Sequence, residues 1–382
     1  MKGFKAKTLI LGAGPFIRDL LAEIKKQPAC RYRITGVVAL GDPDEASSCG
    51  YPVLGTVDEL HRIIQRHEPE VIIVAPPADR ARATDRQLLE ARVLHNIRIE
   101  HAQAVYEQVT GKLPLETFAP EDIIYSNDFQ PNRIALTATR LLSLGFAGAG
   151  LILLAPLMLL IGGLIRIDSA GPVFFSQERS GLAGRPFRLL KFRTMATAEG
   201  RQSEWEEDNV HRITRVGRWL RKCRLDELPQ FFNILSGDMN IVGPRPHPTS
   251  NFELFVLAAR NTPESGEQIP YYSMRYSVRP GITGWAQVRY RYANNLDEEM
   301  EKLRFDLYYL KHYSLWLDIR ILFETVTMIF ARSHKVQAQA TDRPHEEQLV
   351  ADRATNRPDM AGQIHLAVER SRSRAIRSRN VA

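Results

Sequence analysis

The rhythm of hydrophobic and polar positions changes twice along the chain. Through about residue 125, short apolar runs alternate with stretches whose apolar positions recur every three or four residues. Residues 7–11 form the first apolar run, closed by Gly12-Ala13-Gly14-Pro15, and residues 16–26 follow with Ile17, Leu20, Leu21 and Ile24 at helical spacing. Residues 32–40 (YRITGVVAL), 71–75 (VIIVA) and 97–100 predict further strands, and residues 57–67 and 81–95 predict helices. Short apolar strands separated by helices predict βαβ units and an α/β parallel sheet.

The second rhythm is a run from 141 to 165, 25 residues without a charge (LLSLGFAGAGLILLAPLMLLIGGLI). About 20 apolar residues suffice for a helix to cross a bilayer, so this is a membrane segment rather than an ordinary core helix. Its interior holds Pro156 and five glycines. Arginines stand on both sides, Arg133 and Arg140 before it and Arg166, Arg179, Arg185 and Arg188 after it, so flanking charge does not choose an orientation. If the regions before and after both work on cytosolic substrates, the segment must enter and leave on one face. Pro156, which removes a backbone donor near the middle, is where a re-entrant helix–break–helix would turn. Beyond it lies a region of mixed pattern, amphipathic at 210–224 and again at 314–331, where Leu315, Trp316, Ile319, Leu322, Phe323 and Val326 suit a core or a membrane interface.

A length of 382 residues fits two or three domains, and 44% hydrophobic with 25% charged residues excludes fibrous, wholly disordered and disulfide-scaffold classes. The mean hydropathy of −0.25 argues against a polytopic membrane protein. Cys30, Cys49 and Cys223 are too scattered for a disulfide framework or a four-ligand zinc site, which suits a reducing compartment. The short apolar run after the basic N-terminus reads as a strand, not a secretory signal. Net charge is +7, which points to an anionic partner: nucleic acid, acidic lipid or a phosphorylated substrate. Residues 331–382 carry ten Lys/Arg against six Asp/Glu, and this composition predicts a basic, largely disordered tail suited to anionic headgroups.

Gly12-x-Gly14 resembles part of a Rossmann dinucleotide fingerprint, but Ile17 stands where the third glycine belongs. A weak cofactor site at Gly12 and Gly14 stays open beside the plainer reading of a tight strand-to-helix turn. The densest chemistry lies later. Arg188, Lys191 and Arg193 alternate with apolar residues, and Arg212 to Arg224 adds a basic stretch. Leu225-Asp226-Glu227-Leu228-Pro229-Gln230 follows, with Pro229 predicting that the two acids sit at a helix start. Adjacent carboxylates amid cations allow a carboxylate to attack phosphorus while Lys and Arg neutralise a diphosphate and a neighbouring acid holds Mg²⁺. The plainer alternative is a capped helix with surface ion pairs.

From Asp168-Ser169-Ala170-Gly171-Pro172 onward, the motifs Lys191-Phe192-Arg193-Thr194-Met195, Arg215-Val216-Gly217, Leu225–Gln230, Gly237-Asp238-Met239, Val242-Gly243-Pro244-Arg245-Pro246, Arg279-Pro280-Gly281-Ile282-Thr283-Gly284-Trp285-Ala286-Gln287 and Asp306-Leu307-Tyr308-Tyr309 run in order. This set, within about residues 135–332, resembles the bacterial sugar transferases, the monotopic polyprenyl-phosphate phosphoglycosyl transferases. The front region resembles the Rossmann-like, CoA-binding-type domain of exopolysaccharide initiators, including Tyr106-Glu107-Gln108-Val109-Thr110-Gly111-Lys112 at its end. The organisation so expected is a Rossmann-like parallel-sheet domain at 1–125, a linker and re-entrant membrane helix at 126–167, a mainly helical α+β catalytic domain at 168–332 and the tail at 333–382.

The resemblance implies transfer of a sugar-1-phosphate from a UDP-sugar to polyprenyl (undecaprenyl) phosphate, with release of UMP through a covalent aspartyl intermediate. It implies Asp226 as nucleophile, Glu227 with Asp226 as ligands of Mg²⁺, Lys191 in catalysis, and Arg193, Arg245 and Arg279 on phosphate. Asp306 matches a further acidic position supporting the site. Membrane lipids are expected partners, other polysaccharide-assembly proteins are allowed, and the location implied is the bacterial inner membrane with both soluble regions cytoplasmic. No nucleic-acid partner is expected, since the arginines surround carboxylates without a recognition motif. The sequence departs from the family pattern at Ala155 before the breaking proline, at Ser143 where an acid is common, and at Arg289-Tyr290-Arg291-Tyr292 after the Trp-Ala-Gln motif. Two rival readings are a catalytically idle membrane scaffold or nucleotide-sensing regulator, and a nicotinamide-dependent oxidoreductase resting on Gly12 and Gly14 alone.

Overall fold

The structure is a computed structural model that describes residues 5–40, 43–76, 82–118, 123–126, 128–196, 212–249, 271–290 and 296–339. Of the expected disordered tail at 333–382, residues 333–339 instead continue the helix Leu315–Gln339, and the remainder, with the first two residues of the 210–224 stretch and Arg291 with Tyr292, lies outside the described residues. Residues Met1–Thr325 form one compact unit and Val326–Ala382 a second.

The front region is the parallel sheet that the apolar runs predict. Strands β1 (Ala6–Leu11), β2 (Tyr32–Ala39), β3 (Val53–Thr56), β4 (Val71–Val74) and β5 (Arg98–His101) pair all-parallel in the order β3-β2-β1-β4-β5. Both faces are covered, which is why the runs do not alternate with polar residues. Ile10, Val71 and Ile73 face α1 (Pro15–Lys26) and α5 (Ala102–Thr110). Leu9, Leu11, Ile72 and Val74 face α3 (Leu60–His67) and α4 (Arg82–Leu94). A brief helix α2 (Pro43–Ser47), strand β3 and helix α5 are additions to the sequence expectation, and residues 57–59 form a 3-10 turn leading into α3.

Gly12 has φ +103°, and a Cβ there would lie 2.5 Å from the Ala75 Cβ. The close approach of β1's end to β4's end therefore demands glycine with no ligand invoked. Gly14 (φ +121°) precedes Pro15 at the start of α1, the same turn's second requirement.

The uncharged run is one helix, α6 (Arg133–Asp168), with Asn132 Oδ1 accepting from Ile134 N at its start. The expected helix–break–helix is not an interruption of the helix: Pro156 lies inside it, removing one donor while the turns on either side keep theirs. Thr139, Ser143 and Ala147 face inward from its first half, and Met158, Ile161 and Ile165 from its second. Ile152, Leu153 and Leu159, each about four-fifths exposed, face outward. That outward surface is too apolar for water and distinguishes α6 from a soluble core helix.

Both halves of α6 pack on the same body. Ser143 Oγ accepts from Ile241 N (3.1 Å) and Arg140 donates to the carbonyls of Met239 and Ile234. Ile161 and Ile165 pack with Phe192 and Leu220, and Asp168 Oδ2 accepts from Val216 N at 3.0 Å. The body comprises the antiparallel hairpin β6 (Phe174–Ser180) and β7 (Pro186–Phe192), α7 (Arg215–Cys223), α8 (Gln230–Ser236), the short parallel pair β8 (Asn240–Val242) and β9 (Gly281–Thr283), α9 (Trp285–Arg289), α10 (Leu296–Lys311) and, as far as Thr325, α11 (Leu315–Gln339). In α11 the apolar residues divide: Ile321 is fully buried and Leu317 and Leu322 pack inward, whereas Trp316 and Phe323 are exposed, so the stripe expected on one side serves two surroundings. The three cysteines are free.

The sheet region is joined to this body by more than a linker. Leu113 and Leu115 belong to the core of the second body, Leu113 N donates to Arg304 O, and buried Glu107 pairs with Lys311 (2.9 Å). Gly281 fixes the crossing of β9 with the chain after β8, since a Cβ there would lie 2.1 Å from Gly243 N. Gly281→Ala is expected to destabilise the protein by about 1–3 kcal/mol through overpacking against immovable backbone. Thermal unfolding of the detergent-solubilised protein measures this.

Candidate functional site

The chain leaves α7 through Arg224, a non-glycine residue in the left-handed region (φ 56°). This sharp cap turns the backbone straight into a 3-10 turn, Leu225–Glu227, and Pro229 then caps α8. Asp226 and Glu227 thus sit just before a helix start, as Pro229 predicts.

Three cations converge on Glu227. Arg245 donates to its Oε1 at 3.2 Å, Lys191 Nζ stands 3.6 Å from the same oxygen, and Arg224 lies 3.9 Å from Oε2. Burial alone would raise the Glu227 pKa, but Arg245, Lys191 and Arg224 override it and hold the carboxyl down at about 2. Its neighbour moves the other way. Burial, then the Glu227 charge, raises Asp226 above the ordinary aspartate value, with Lys191 and Arg221 only partly opposing. Burial also lowers Lys191, against the pull of Glu227.

Arg245 is aimed by a turn whose consecutive carbonyls are all held. Pro244 O accepts from Gly281 N (3.0 Å), Arg245 O from Arg275 (3.2 Å), Pro246 O from Arg179 (3.1 Å) and His247 O from Ser180 N (3.0 Å). The second guanidinium nitrogen of Arg245 donates to Gln287 Oε1 at 3.2 Å.

The structure therefore brings Lys191, Asp226, Glu227 and Arg245 together. It puts the other sequence candidates to different uses. Arg193, expected on phosphate, is 5% exposed and donates to Ala170 O (2.8 Å), Ser169 O (2.6 Å) and Ser169 Oγ (2.9 Å). Its guanidinium is engaged in tying the end of α6 to β7, which corrects that assignment. Arg279 donates through Nε to Gly237 O at 2.9 Å, at the end of α8 remote from the acidic pair, where a cation also complements the helix dipole. Asp306 is 2% exposed and pairs with Arg275 at 2.8 Å, so it reaches Arg245 only through Arg275 and positions rather than touches. Pro156 lies in the apolar helix, and Gly12 and Gly14 lie in the sheet region.

Arg275, Gln230 and Gln287 are site residues that sequence reasoning did not single out. Arg275 lies four residues before Arg279 with nothing to mark it as the buried partner, whereas Gln230 and Gln287 stood inside quoted motifs.

Among the described residues no three His, Cys, Asp or Glu side chains gather as a metal cluster. Mg²⁺ takes one or two protein carboxylates beside substrate phosphates and water, so the Asp226–Glu227 pair is sufficient in number. Glu227 Oε2, 3.9 Å from Arg224, is the oxygen that Arg245 and Lys191 leave to other partners among the described residues, and the donor set fits a Mg²⁺ beside a bound diphosphate.

Comparison with known proteins decides the kinship, for the profile of the family described as bacterial sugar transferase matches residues 134–332. The chain belongs to the bacterial sugar transferase family. An Aeromonas hydrophila protein named UDP-N-acetylgalactosamine-undecaprenyl-phosphate N-acetylgalactosaminephosphotransferase is 37% identical over 66% of this chain and 56% of its own. A Xanthomonas campestris pv. campestris UDP-glucose:undecaprenyl-phosphate glucose-1-phosphate transferase is 35% identical over 74% of this chain and 57% of its own. An Escherichia coli K12 protein named as the same glucose-1-phosphate transferase is 41% identical over 46% of this chain and 36% of its own. The chain thus spans less than two thirds of the length of these relatives. The match to the bacterial sugar transferase profile covers α6 and the whole Lys191–Asp226–Glu227–Arg245 site but not the sheet region.

Removing the Asp306 carboxylate leaves Arg275 charged in the interior, a change of the kind that costs about 3–5 kcal/mol. Asp306→Asn is accordingly expected to lower the melting temperature by about 10 °C. A melt equal to wild type would show that the pair does not hold the turn.

Proposed function

We propose that the protein transfers a sugar-1-phosphate from a UDP-sugar to undecaprenyl phosphate at a membrane surface, releasing UMP, as the first step of an exopolysaccharide or related glycan. The observation that carries this reading is the Asp226–Glu227 pair set under Arg245 and Lys191 beside an apolar helix. The activities for which the relatives are named support it.

Asp226 is the nucleophile. Its carboxylate oxygen bonds to the β-phosphorus of the UDP-sugar, and the bond from that phosphorus to the bridging oxygen breaks, so UMP leaves with that oxygen. An oxygen of undecaprenyl phosphate then attacks the same phosphorus and returns Asp226 as carboxylate. Lys191 and Arg245, already facing Glu227, shift toward the diphosphate as it enters and neutralise it. Glu227 and Asp226 would hold Mg²⁺, which would supply charge neutralisation at the diphosphate. Glu227, kept ionised at about 2, is suited to a ligand role. Asp226, whose charge is less well compensated, is suited to attack.

Membrane embedding follows from α6. A straight helix of 36 residues would be about 54 Å long. A spanning helix puts its ends on opposite sides of the bilayer, yet Ser143 and Ile165 both rest on one globular body. Re-entry, with both soluble regions on one face, is the arrangement that this packing favours, and the proposed use of a UDP-sugar puts that face on the cytoplasmic side of the inner membrane. Reporter tags on the two regions test it, and labelling from opposite sides would refute it.

The assay is UMP release from a panel of UDP-sugars by protein in vesicles containing undecaprenyl phosphate. Asp226→Asn is expected to lower the rate by about 10³-fold or more and to abolish label transfer from a sugar-labelled donor to protein. An idle scaffold releases no UMP. The pH profile supplies a second test. The rate requires ionised Asp226 and protonated Lys191, so the acid limb should titrate above 3.8 and the alkaline limb below 10.5. Lys191→Arg should move the alkaline limb upward while leaving the acid limb in place.

A further inference from the structure

We infer that Gln230 binds the sugar nucleotide directly, through a neutral hydroxyl or imide group carried beside its diphosphate. The inference rests on the proposed reading of the site.

Gln230 is the fourth residue after Asp226 and the third after Glu227, spacings that put side chains on one face of a helical turn. It lines a shallow, open pocket together with Arg179, Lys191, Arg245 and Pro246. Lys191 and Arg245 are the two cations on Glu227 Oε1, so this pocket adjoins the acidic pair. Gln230 is 3% exposed, no described residue hydrogen-bonds its carboxamide, and its amide oxygen and nitrogen are not fully buried, so they keep contact with solvent in the pocket.

An amide whose polar atoms face a pocket and are engaged by no protein group is free to serve whatever enters that pocket. The carboxamide therefore points to a ligand that completes it. It offers two donors and one acceptor. A phosphate oxygen would use only the donors, and fixed cations already serve phosphates here. A hydroxyl or an imide edge uses both functions. A UDP-sugar carries such groups on the sugar next to the β-phosphate and on uridine beyond the α-phosphate.

The test uses the full chain in nanodiscs with UDP-glucose, UDP-N-acetylgalactosamine and UDP as probes. Gln230→Met keeps the length and removes the polar functions. It is expected to raise the KM and Kd for the UDP-sugar about tenfold, the scale of one or two lost hydrogen bonds, with the melting temperature and the KM for undecaprenyl phosphate unchanged. If the Kd for UDP weakens equally, uridine is the group bound. If UDP binding is unchanged, the sugar is. Unaltered UDP-sugar KM and Kd in a folded variant would overturn the inference, and so would parallel loss for both substrates. Should Gln230→Met fail to fold, Gln230→Asn, which retains the amide one methylene shorter, decides by the same constants. A wild-type protein that releases no UMP refutes the proposed function instead, while the Kd comparison still reads Gln230.

Discussion

The Arg275–Asp306 ion pair is the constraint on which the site's geometry depends. Its members are 6% and 2% exposed, so neither charge is tolerable without the other. Burial works against the Arg275 charge, but Asp306, joined by Tyr272, Glu299 and Tyr276, outweighs it and keeps the guanidinium protonated. That guanidinium then donates to Arg245 O and lies over the Tyr272 ring at 5.1 Å. Tyr272 OH in turn contacts His247 Nδ1 at 2.8 Å, and burial first, Arg275 second, keep His247 neutral. One buried charge pair thus fixes the backbone on which Arg245 stands, and Arg245 sets the charge state of Glu227.

The same logic explains why two adjacent acids behave differently. Asp226 and Glu227 share a 3-10 turn and a pool of cations, but side-chain direction delivers Arg245, Lys191 and Arg224 to Glu227. Each ionised Glu227 then raises the cost of ionising Asp226. Environments that separate the pKa values of neighbouring carboxyls divide roles between them. The strained cap at Arg224 is part of this device, since its left-handed backbone both starts the turn and places its cation within reach.

How far the sequence could be read follows from whether a feature is local. The sheet strands were legible because burial on both faces writes continuous apolar runs, and the apolar helix because 25 uncharged residues admit few alternatives. Strand β3 escaped because Val53-Leu54-Gly55-Thr56 is an edge of four half-buried residues with no apolar run. In the site, Asp226, Glu227, Lys191 and Arg245 were legible as charges within motifs. The division of the arginines was not. Arg193, Arg245, Arg275 and Arg279 look alike in sequence, and only three-dimensional neighbours decide that one faces an acid while others hold carbonyls of Ser169 or Gly237 or a buried aspartate. Ser143 is the counterpart case: where an acid is common, its hydroxyl bridges Thr139 O and Ile241 N, fastening the membrane helix to β8 without burying a charge.

The sheet region reaches the site through contacts rather than proximity alone. Trp285, 3% exposed, donates from Nε1 to Gly111 O at 2.8 Å and stacks on Tyr308 at 5.6 Å. Arg289 covers the same ring at 4.3 Å and is itself tied to Glu324. Two residues after Trp285, Gln287 accepts from Arg245. Because α9 is only five residues long, it has little stiffness of its own, and the indole bonded to Gly111 is what fixes its position. Gly111 is confined in return, for its φ of +69° and the indole 2.9 Å from a would-be Cβ admit no side chain. The Tyr106–Lys112 segment is therefore part of the wall that orients Gln287 and Arg245. A sheet region tethered as an independent bead would bring none of these contacts to the site.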